Sequence, residues 1–290
     1  MPRSPERGWP RRVTAFVLFG LFLLVVWEGL KFIGGDPWRG DGWIWEPPLD
    51  IWFASDLLLP HVWDIVGALA NPVQRGSDQS LAGFLAGAAF YTWREAALGF
   101  LLGAVIGIGL AAVFVHSKLA ERALVPYVIA SQTIPIVALA PMIVFAFGPS
   151  VTSVVIIATY LTFFPVTIAM IRGLRSPDPQ ALELMRSYAA NRWSVFWKLR
   201  MPASLPYLFT ALKISATASI VGAIVGEGPG GIPDGLGRAI INFNNQYISG
   251  PEKLWAAILA CAVVGILFFT LIRLAEILTL RGRGLRTEAA

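Results

Sequence analysis

Few residues in this 290-residue chain have types and spacings that could do chemistry. His61 and His116 are its two histidines, far apart in sequence, and Cys261 is its single cysteine. A zinc site or a nucleophilic triad has nothing to build from. Cys261 sits inside an apolar run, cannot form a disulfide within the chain, and reads as core filler. The stretch GEGPGGIPDGLG at residues 226–237 places Gly226, Gly228, Gly230, Gly231, Gly235 and Gly237 where bare backbone amides could cradle an anion. It lacks the G-K-[ST] ending of a nucleotide-binding loop, so an external loop or re-entrant turn is the better reading. Lys213, Glu95 and Glu227 stand in or beside apolar runs, where lining a path and snorkelling to the interface explain them equally well.

The strongest chemical signal is a basic, aromatic segment, ELMRSYAANRWSVFWKLRMP, from Glu183 to Pro202. It sets Arg186, Arg192, Lys198 and Arg200 against a single acid, Glu183. Met185, Ala189, Trp193 and Phe196 or Trp197 recur at helical spacing, so one side of a helix or helix pair is apolar while Arg186 and Arg192 point elsewhere. The segment is too polar to cross a bilayer. It must lie on a surface, and periodicity does not choose between anionic lipid and another protein.

The elements that position this segment are membrane spans. The chain is 56% hydrophobic and only 14% charged, with a mean hydropathy of +0.65, well above an ordinary soluble domain. No residue between Ala123 and Ile171 is charged, and one helix of that length would run roughly 70 Å against a hydrocarbon core of about 30 Å. The run must fold back once, at FGPSVT, where Gly148 and Pro149 break the helix and Ser150 and Thr152 can cap the next. Ala96–Val115 and Leu254–Ile272 are charge-free windows of spanning length. Val13–Ile33 follows four arginines without a small-residue cleavage pattern and reads as a retained span. Ala203–Val225 spans despite Lys213. The expected fold is all-α, a polytopic membrane protein with six transmembrane helices.

Lys and Arg are retained on the cytoplasmic side of short loops. An N-terminus inside puts most of the 23 basic residues there, whereas the opposite topology puts only Lys31, Arg39, Arg75, Arg94, Arg238 and Lys253 there. Both termini are therefore expected in the cytoplasm, and the net charge of +5 reads as a topology signal rather than a nucleic-acid surface. The expected division is a basic N-terminus at 1–12, a first span at 13–33, and an external segment at 34–93. A core of five spans follows at 94–280, with a cytoplasmic loop at 173–202 and a tail at 281–290. Trp38, Trp43, Trp45, Trp52 and Trp63 suit the external segment to interfacial helices, with DLLLPHVWDIVGALAN as one and SLAGFLAGAAFYTW as a short helix leading into the second span.

Within the spans, Gly99, Gly103 and Gly107 fall on one helix face, where small residues let another helix approach; the competing explanation is that glycine is common in membrane helices. Pro126, Pro135 and Pro141 surround Ser131, Gln132 and Thr133, so the third span is expected to kink, either bordering a pathway or only shaping packing. Gln132, Thr133, Thr159, Tyr160, Ser215 and Ser219 are the hydrophilic residues expected to face a cavity, with Pro135 at the kink. Glu28 with Lys31, and Arg273 with Glu276, read as pairs within single helix turns.

The basic segment resembles the EAA loop of bacterial ABC importer permeases, written E-A-A, three residues, G, nine residues, I, one residue, L-P. Counted from Glu183, that glycine falls on Ala189, the isoleucine on Leu199, and the L-P on Met201 and Pro202, while the alanines become Leu184 and Met185. ASLPYLFTALKISATASIVGAIVGE and QTIPIVALAPMIVFAFG extend the resemblance from about Phe84 to Leu280. They are similar to the branch that carries sulfonates, taurine, nitrate and pyrimidine or riboflavin-like compounds. The stretch from Gly226 to Ile258 looks most like the pyrimidine-precursor or riboflavin members.

The resemblance implies a type I ABC importer permease fold in the bacterial cytoplasmic (inner) membrane, without catalytic residues or a cofactor. The implied partners are a cytoplasmic ATP-binding subunit, an external solute-binding protein and a second permease copy, most simply an identical one. The loop is implied to dock on the ATPase through Glu183, Arg186, Tyr188, Ala189, Arg192, Trp193, Phe196 and Pro202. ATP-driven closure would then switch a cavity between inward and outward access. The implied cargo is first a heterocyclic vitamin precursor and second a sulfonate, taurine or nitrate-type anion, for which Lys213 is the basic lining candidate. An ion-coupled secondary transporter is expected to carry carboxylates in its spans, and only Glu28 and Glu276 qualify, both near ends. A membrane enzyme needs a catalytic set that the sequence lacks.

Overall fold

Long charge-free runs become helices because lipid offers the backbone no other hydrogen-bond partner. The structure, a computed structural model, describes residues 9–40, 43–74, 76–228 and 232–281. Its helices divide between two units: the chain up to Gly83 with Phe243–Ala256, and Phe84–Asn242 with the chain from Ala257.

In the first unit, helix α1 (Trp9–Ile33) carries Glu28 and Lys31 near its C-terminal end. Glu28 and Lys31 do not pair with one another as the sequence suggested; each reaches across to the segment 54–62. Lys31 is fully buried and donates to the carbonyls of Ala54 and Leu59 at 3.3 and 2.7 Å while pairing with Asp56 at 2.5 Å. Three oxygens explain why so costly a burial is tolerated. Glu28 hydrogen-bonds His61 Nδ1 at 2.7 Å and accepts from the amide of Val62 at 2.8 Å, at the start of α2 (Val62–Ala68). Strands β1 (Trp38–Gly40) and β2 (Trp43–Trp45) pair antiparallel with Trp38 opposite Trp45. Phe32 stacks on Trp45 at 4.6 Å and His61 on Trp63 at 4.1 Å.

The second unit holds most of α3 (Leu81–His116), then α4 (Lys118–Ser131), α5 (Ile136–Phe147) and α6 (Val151–Leu174). It continues with α7 (Pro179–Ser187), α8 (Arg192–Val195), a π-helical turn (Phe196–Arg200), α9 (Met201–Glu227) and the start of α10 (Leu236–Asn245). Helix α11 (Pro251–Arg281) closes it. Helix α3 is continuous for 36 residues; the short helix expected ahead of the second span is its first turns. Among the described residues four helical stretches have the length and apolarity to cross a membrane, 81–116, 151–174, 192–227 and 251–280. A fifth is possible if α4 and α5, bent by 98° at their junction, count as one. Ser150 precedes α6 without a side-chain cap; Ser153 covers the Gly148 carbonyl instead, at 2.6 Å.

Helix α6 is the hub. A Cβ on Gly99 would lie 2.4 Å from that of Ala158, one on Gly103 2.5 Å from that of Thr162, and one on Gly107 2.8 Å from that of Val166. The spacing-of-four stripe is therefore a contact face for α6, and Gly109, which meets nothing within 4 Å, is not part of it. On the other side, a Cβ on Gly222 of α9 would lie 3.0 Å from the Cα of Ala158, and one on Gly226 3.2 Å from that of Val154. Small residues on both flanks bring three helices close enough for dispersion and packing to hold them without a hydrophobic drive.

Candidate functional site

Helix α7 starts because Asp178 accepts the amide of Gln180 at 2.9 Å and Pro179 supplies a preset first turn. It stops in a left-handed residue: Ala189 has φ +50°, with its amide bonded to the Arg186 carbonyl at 2.9 Å and that of Ala190 to Met185 at 3.0 Å. Those two bonds form a Schellman motif, whose left-handed position is normally glycine. Asn191 then accepts from Ser194 at 2.7 Å and starts α8, which runs through the π-helical turn into α9.

This geometry separates the loop residues into two sets. Glu183, Arg186, Ala189 and Arg192 are exposed, as are Tyr188 at 78% and Trp193 at 69%. Phe196 points inward, 5% exposed, into a cluster with Phe114, Met170, Leu174 and Ala211. Helical spacing left Phe196 and Trp197 as alternatives; packing gives the core to Phe196 and the surface to Trp197. Leu184 is also exposed, an apolar contributor that spacing from Met185 did not find. Pro202 lies half-buried in the first turn of α9. Arg200 donates to the Leu174 carbonyl at 3.3 Å. Arg175 grips Glu121 in a fork of 2.9 and 2.6 Å, which raises the guanidinium above its ordinary value through that hydrogen-bonded pair.

At the α4–α5 corner the expected kink is a near right angle. Pro135 has no N–H to offer the carbonyl of Ser131. Tyr160 OH donates to that carbonyl instead. Ser131 and Thr133 hydroxyls cover the carbonyls of Val128 and Ala130 at 2.8 and 2.7 Å. Gln132, Thr133, Pro135 and Tyr160 thus gather at one corner. Thr159, Ser215 and Ser219 go elsewhere: Thr159 donates to the Gly99 carbonyl at 3.2 Å and Ser215 to that of Thr162 at 3.4 Å, and both serines are fully buried between helices.

Lys213 on α9 meets Glu276 on α11 at 2.9 Å. Sequence spacing matched Glu276 with Arg273 because it sees only neighbours on one helix. A cavity of about 650 Å³ opens along α6, α9 and α11, lined by Phe164, Pro165, Ile168, Pro206 and Tyr207, with Arg172 and Glu276 also at its wall.

The glycine-rich stretch holds a carboxyl group of the chain's own. Gly237 N and Thr92 Oγ1 donate to Glu227 Oε2 at 2.8 and 3.0 Å. Gly235 has φ +94°, and a Cβ there would lie 2.3 Å from the Glu227 carboxyl carbon. Gly230 and Gly231 lie outside the described residues. No group of three or more His, Cys, Asp or Glu could hold a metal among the described residues.

Apolar helices of spanning length, a glycine-packed hub and an exposed basic-aromatic loop between two of them describe a polytopic membrane protein. The chain belongs to the family of binding-protein-dependent transport system inner membrane components, whose pattern matches residues 100–278, and is an ABC importer permease. It is 33% identical to the formylaminopyrimidine transport permease protein ThiX of Halalkalibacterium halodurans, over 89% of this chain and 92% of that one. The riboflavin transport system permease protein RibX of Chloroflexus aurantiacus is 34% identical over 57% of this chain and 61% of its own. The putative aliphatic sulfonates transport permease protein SsuC of Bacillus subtilis is 30% identical over 76% and 84%. A crystal structure of an amino acid ABC transporter with histidines superposes with a TM-score of 0.55 at 19% identity, over 67% of this chain and 94% of that one, which speaks to fold alone.

Proposed function

We propose that two copies of this chain form the membrane core of an ATP-driven importer for a small heterocyclic vitamin precursor, pyrimidine-like or riboflavin-like. The chain has six spans in this reading, with both termini and the loop 173–202 in the cytoplasm. There an ATP-binding subunit takes Tyr188, Trp193, Leu184 and Trp197 into a groove while Glu183, Arg186 and Arg192 orient it. Ala189 supplies the turn between the two helices, Pro202 joins the loop to α9, and Phe196 anchors it from beneath. A solute-binding protein delivers cargo on the other side. Gln132, Thr133 and Tyr160, at the α4–α5 corner with Pro135, border the path; Thr159, Ser215 and Ser219 stiffen the helices behind it.

The observation that carries the cargo class is the Lys213–Glu276 pair. The basic residue that an anion path would use is already neutralised, and the nearby cavity is mainly apolar and aromatic, which suits an uncharged planar ring. The pyrimidine-named relative, similar over nearly the whole chain, supports the same class. A sulfonate or nitrate-type anion is the second reading, favoured by Arg172 at the cavity wall. The test is uptake into vesicles that contain the chain, its ATP-binding subunit and its binding protein. Pyrimidine or flavin uptake that survives Arg172→Gln supports the first reading; uptake of nitrate or a sulfonate alone, lost in Arg172→Gln, overturns it.

A further inference from the structure

At the end of α9 opposite the basic loop, two acids lie buried that transport gives no role. Glu95 on α3 and Glu227 at the end of α9 are both 0% exposed and lie side by side. Glu227 is supported as an anion would be. Its Oε2 accepts from Thr92 and from Gly237, and Gly237 stands in the first turn of α10, at the positive end of that helix. The hydroxyl of Thr92 has one proton and gives it to Glu227, so it can only accept from Leu236 N, as it does at 2.8 Å. Every donor in this chain of bonds therefore runs toward Glu227 Oε2.

Glu95 has no such support. Both of its oxygens, and Glu227 Oε1, lack a hydrogen-bond donor among the described residues. Three buried acceptors side by side are left unsatisfied, and two adjacent carboxylates cut off from water repel. One proton cures both faults, since a neutral Glu95 donates to Glu227 Oε1. The other charged and titratable groups facing the pair do not replace it. Arg94 on α3 is exposed, with its guanidinium over the Tyr91 ring at 5.1 Å. Asp234, in the loop, is exposed and of the wrong sign. Tyr91 on α3 has its hydroxyl beside Glu95 and could give it one hydrogen bond, but neither Tyr91 nor Cys261 on α11 carries a positive charge in any state, so neither offsets the repulsion of two adjacent carboxylates.

We propose that Glu95 and Glu227 form a proton-binding site, with Glu95 as the donor, and that the occupied site clasps the start of α10 to α3 and α9. Loss of the proton sets two anions against each other and frees the first turn of α10. The clasp is thus complete at low pH and released as pH rises.

The test uses the full chain in lipid vesicles, without its partners. Infrared spectra in water and heavy water at neutral pH are expected to show the carbonyl stretch of an un-ionised carboxylic acid, absent in Glu95→Gln. Hydrogen exchange over 236–245, corrected for intrinsic rates, is expected to speed by at least about tenfold in the wild type as pH is raised. In Glu95→Gln, whose amide still donates to Glu227, it should stay slow throughout. The wild-type exchange profile needs no variant and stands even if the substitution misfolds. No acid carbonyl band, a band unchanged by Glu95→Gln, or α10 exchange independent of pH would each overturn the proposal. So would carboxylate bands that shift when sodium replaces potassium, since a metal cation would then fill the gap.

Discussion

Ala189 offers the cleanest test of the reasoning behind the basic loop. It holds φ +50°, where an L-residue's Cβ crowds the following carbonyl at a cost of roughly 1–2 kcal/mol. Glycine removes that cost but loses more backbone entropy on folding, by roughly 0.5–1 kcal/mol. Ala189→Gly should therefore stabilise the Schellman turn by about 0.5–1 kcal/mol, a factor of about two to five in its opening equilibrium. Only a local assay will see so small a change in a chain this size. The amides of Tyr188 and Ala190 report it, since they bond to the carbonyls of Leu184 and Met185 at 3.2 and 3.0 Å only while the turn is closed.

Exchange at those two amides, after correction for the new neighbour's intrinsic rate, should slow about two- to fivefold in Ala189→Gly. It should quicken in Ala189→Val, whose branched side chain tolerates the left-handed region less well. Unchanged or faster exchange in the glycine variant would mean that the turn is not strained. The departure from the EAA pattern at this position would then carry no energetic meaning.

Four further outcomes follow from the packing. Gly103→Ala should destabilise the chain by about 1–3 kcal/mol, because its Cβ meets Thr162 and the Thr159 carbonyl; Gly109→Ala, on the same helix with open space, should stabilise by up to about 1 kcal/mol, both read from denaturation in mild detergent. Tyr160→Phe should cost about 1 kcal/mol, because the other donor to the Ser131 carbonyl, the Ile134 amide, sits at 3.4 Å; an unchanged melting profile would refute that role. Lys213→Met should destabilise by roughly 3–5 kcal/mol by stranding Glu276, and Lys213→Met with Glu276→Leu should recover most of it. Tyr188→Ala with Trp193→Ala should abolish co-purification of the ATP-binding subunit while leaving the melt unchanged, whereas Phe196→Ala should lower the melt by about 3–5 kcal/mol.

The sequence made the spans legible wherever charge was absent for long enough, and the glycine stripe at 99, 103 and 107 because a spacing of four has one meaning on a helix. The family glycine that falls on Ala189 marked the position, but the left-handed turn there comes from the structure. What the sequence withheld shares a physical cause. Lys213–Glu276, Lys31–Asp56, Glu28–His61 and Thr92–Glu227 are pairs between elements far apart in the chain. Periodicity on one helix reports which face is polar and never what that face meets. The same blindness assigned Ser215 and Ser219 to a cavity: a hydroxyl on an apolar helix signals a polar neighbour, and here that neighbour is a helix carbonyl.

The residues beneath the loop also bear on how a push on it would travel. Phe196 shares a cluster with Met170 and Leu174 of α6, Ala211 of α9 and Phe114 of α3. Arg200 bonds the end of α6, and Arg175, one residue past that end, holds the first turn of α4 through Glu121. With α6 also clamped by glycine faces of α3 and α9, these three helices lack the loose joint that would let the loop move alone. The weaker joint is the α4–α5 corner, where single hydroxyls stand in for helix hydrogen bonds. A force applied at Tyr188 and Trp193 is therefore delivered to α3, α6 and α9 as one body, and the corner bearing Gln132 and Thr133 is where the strain has room to be released.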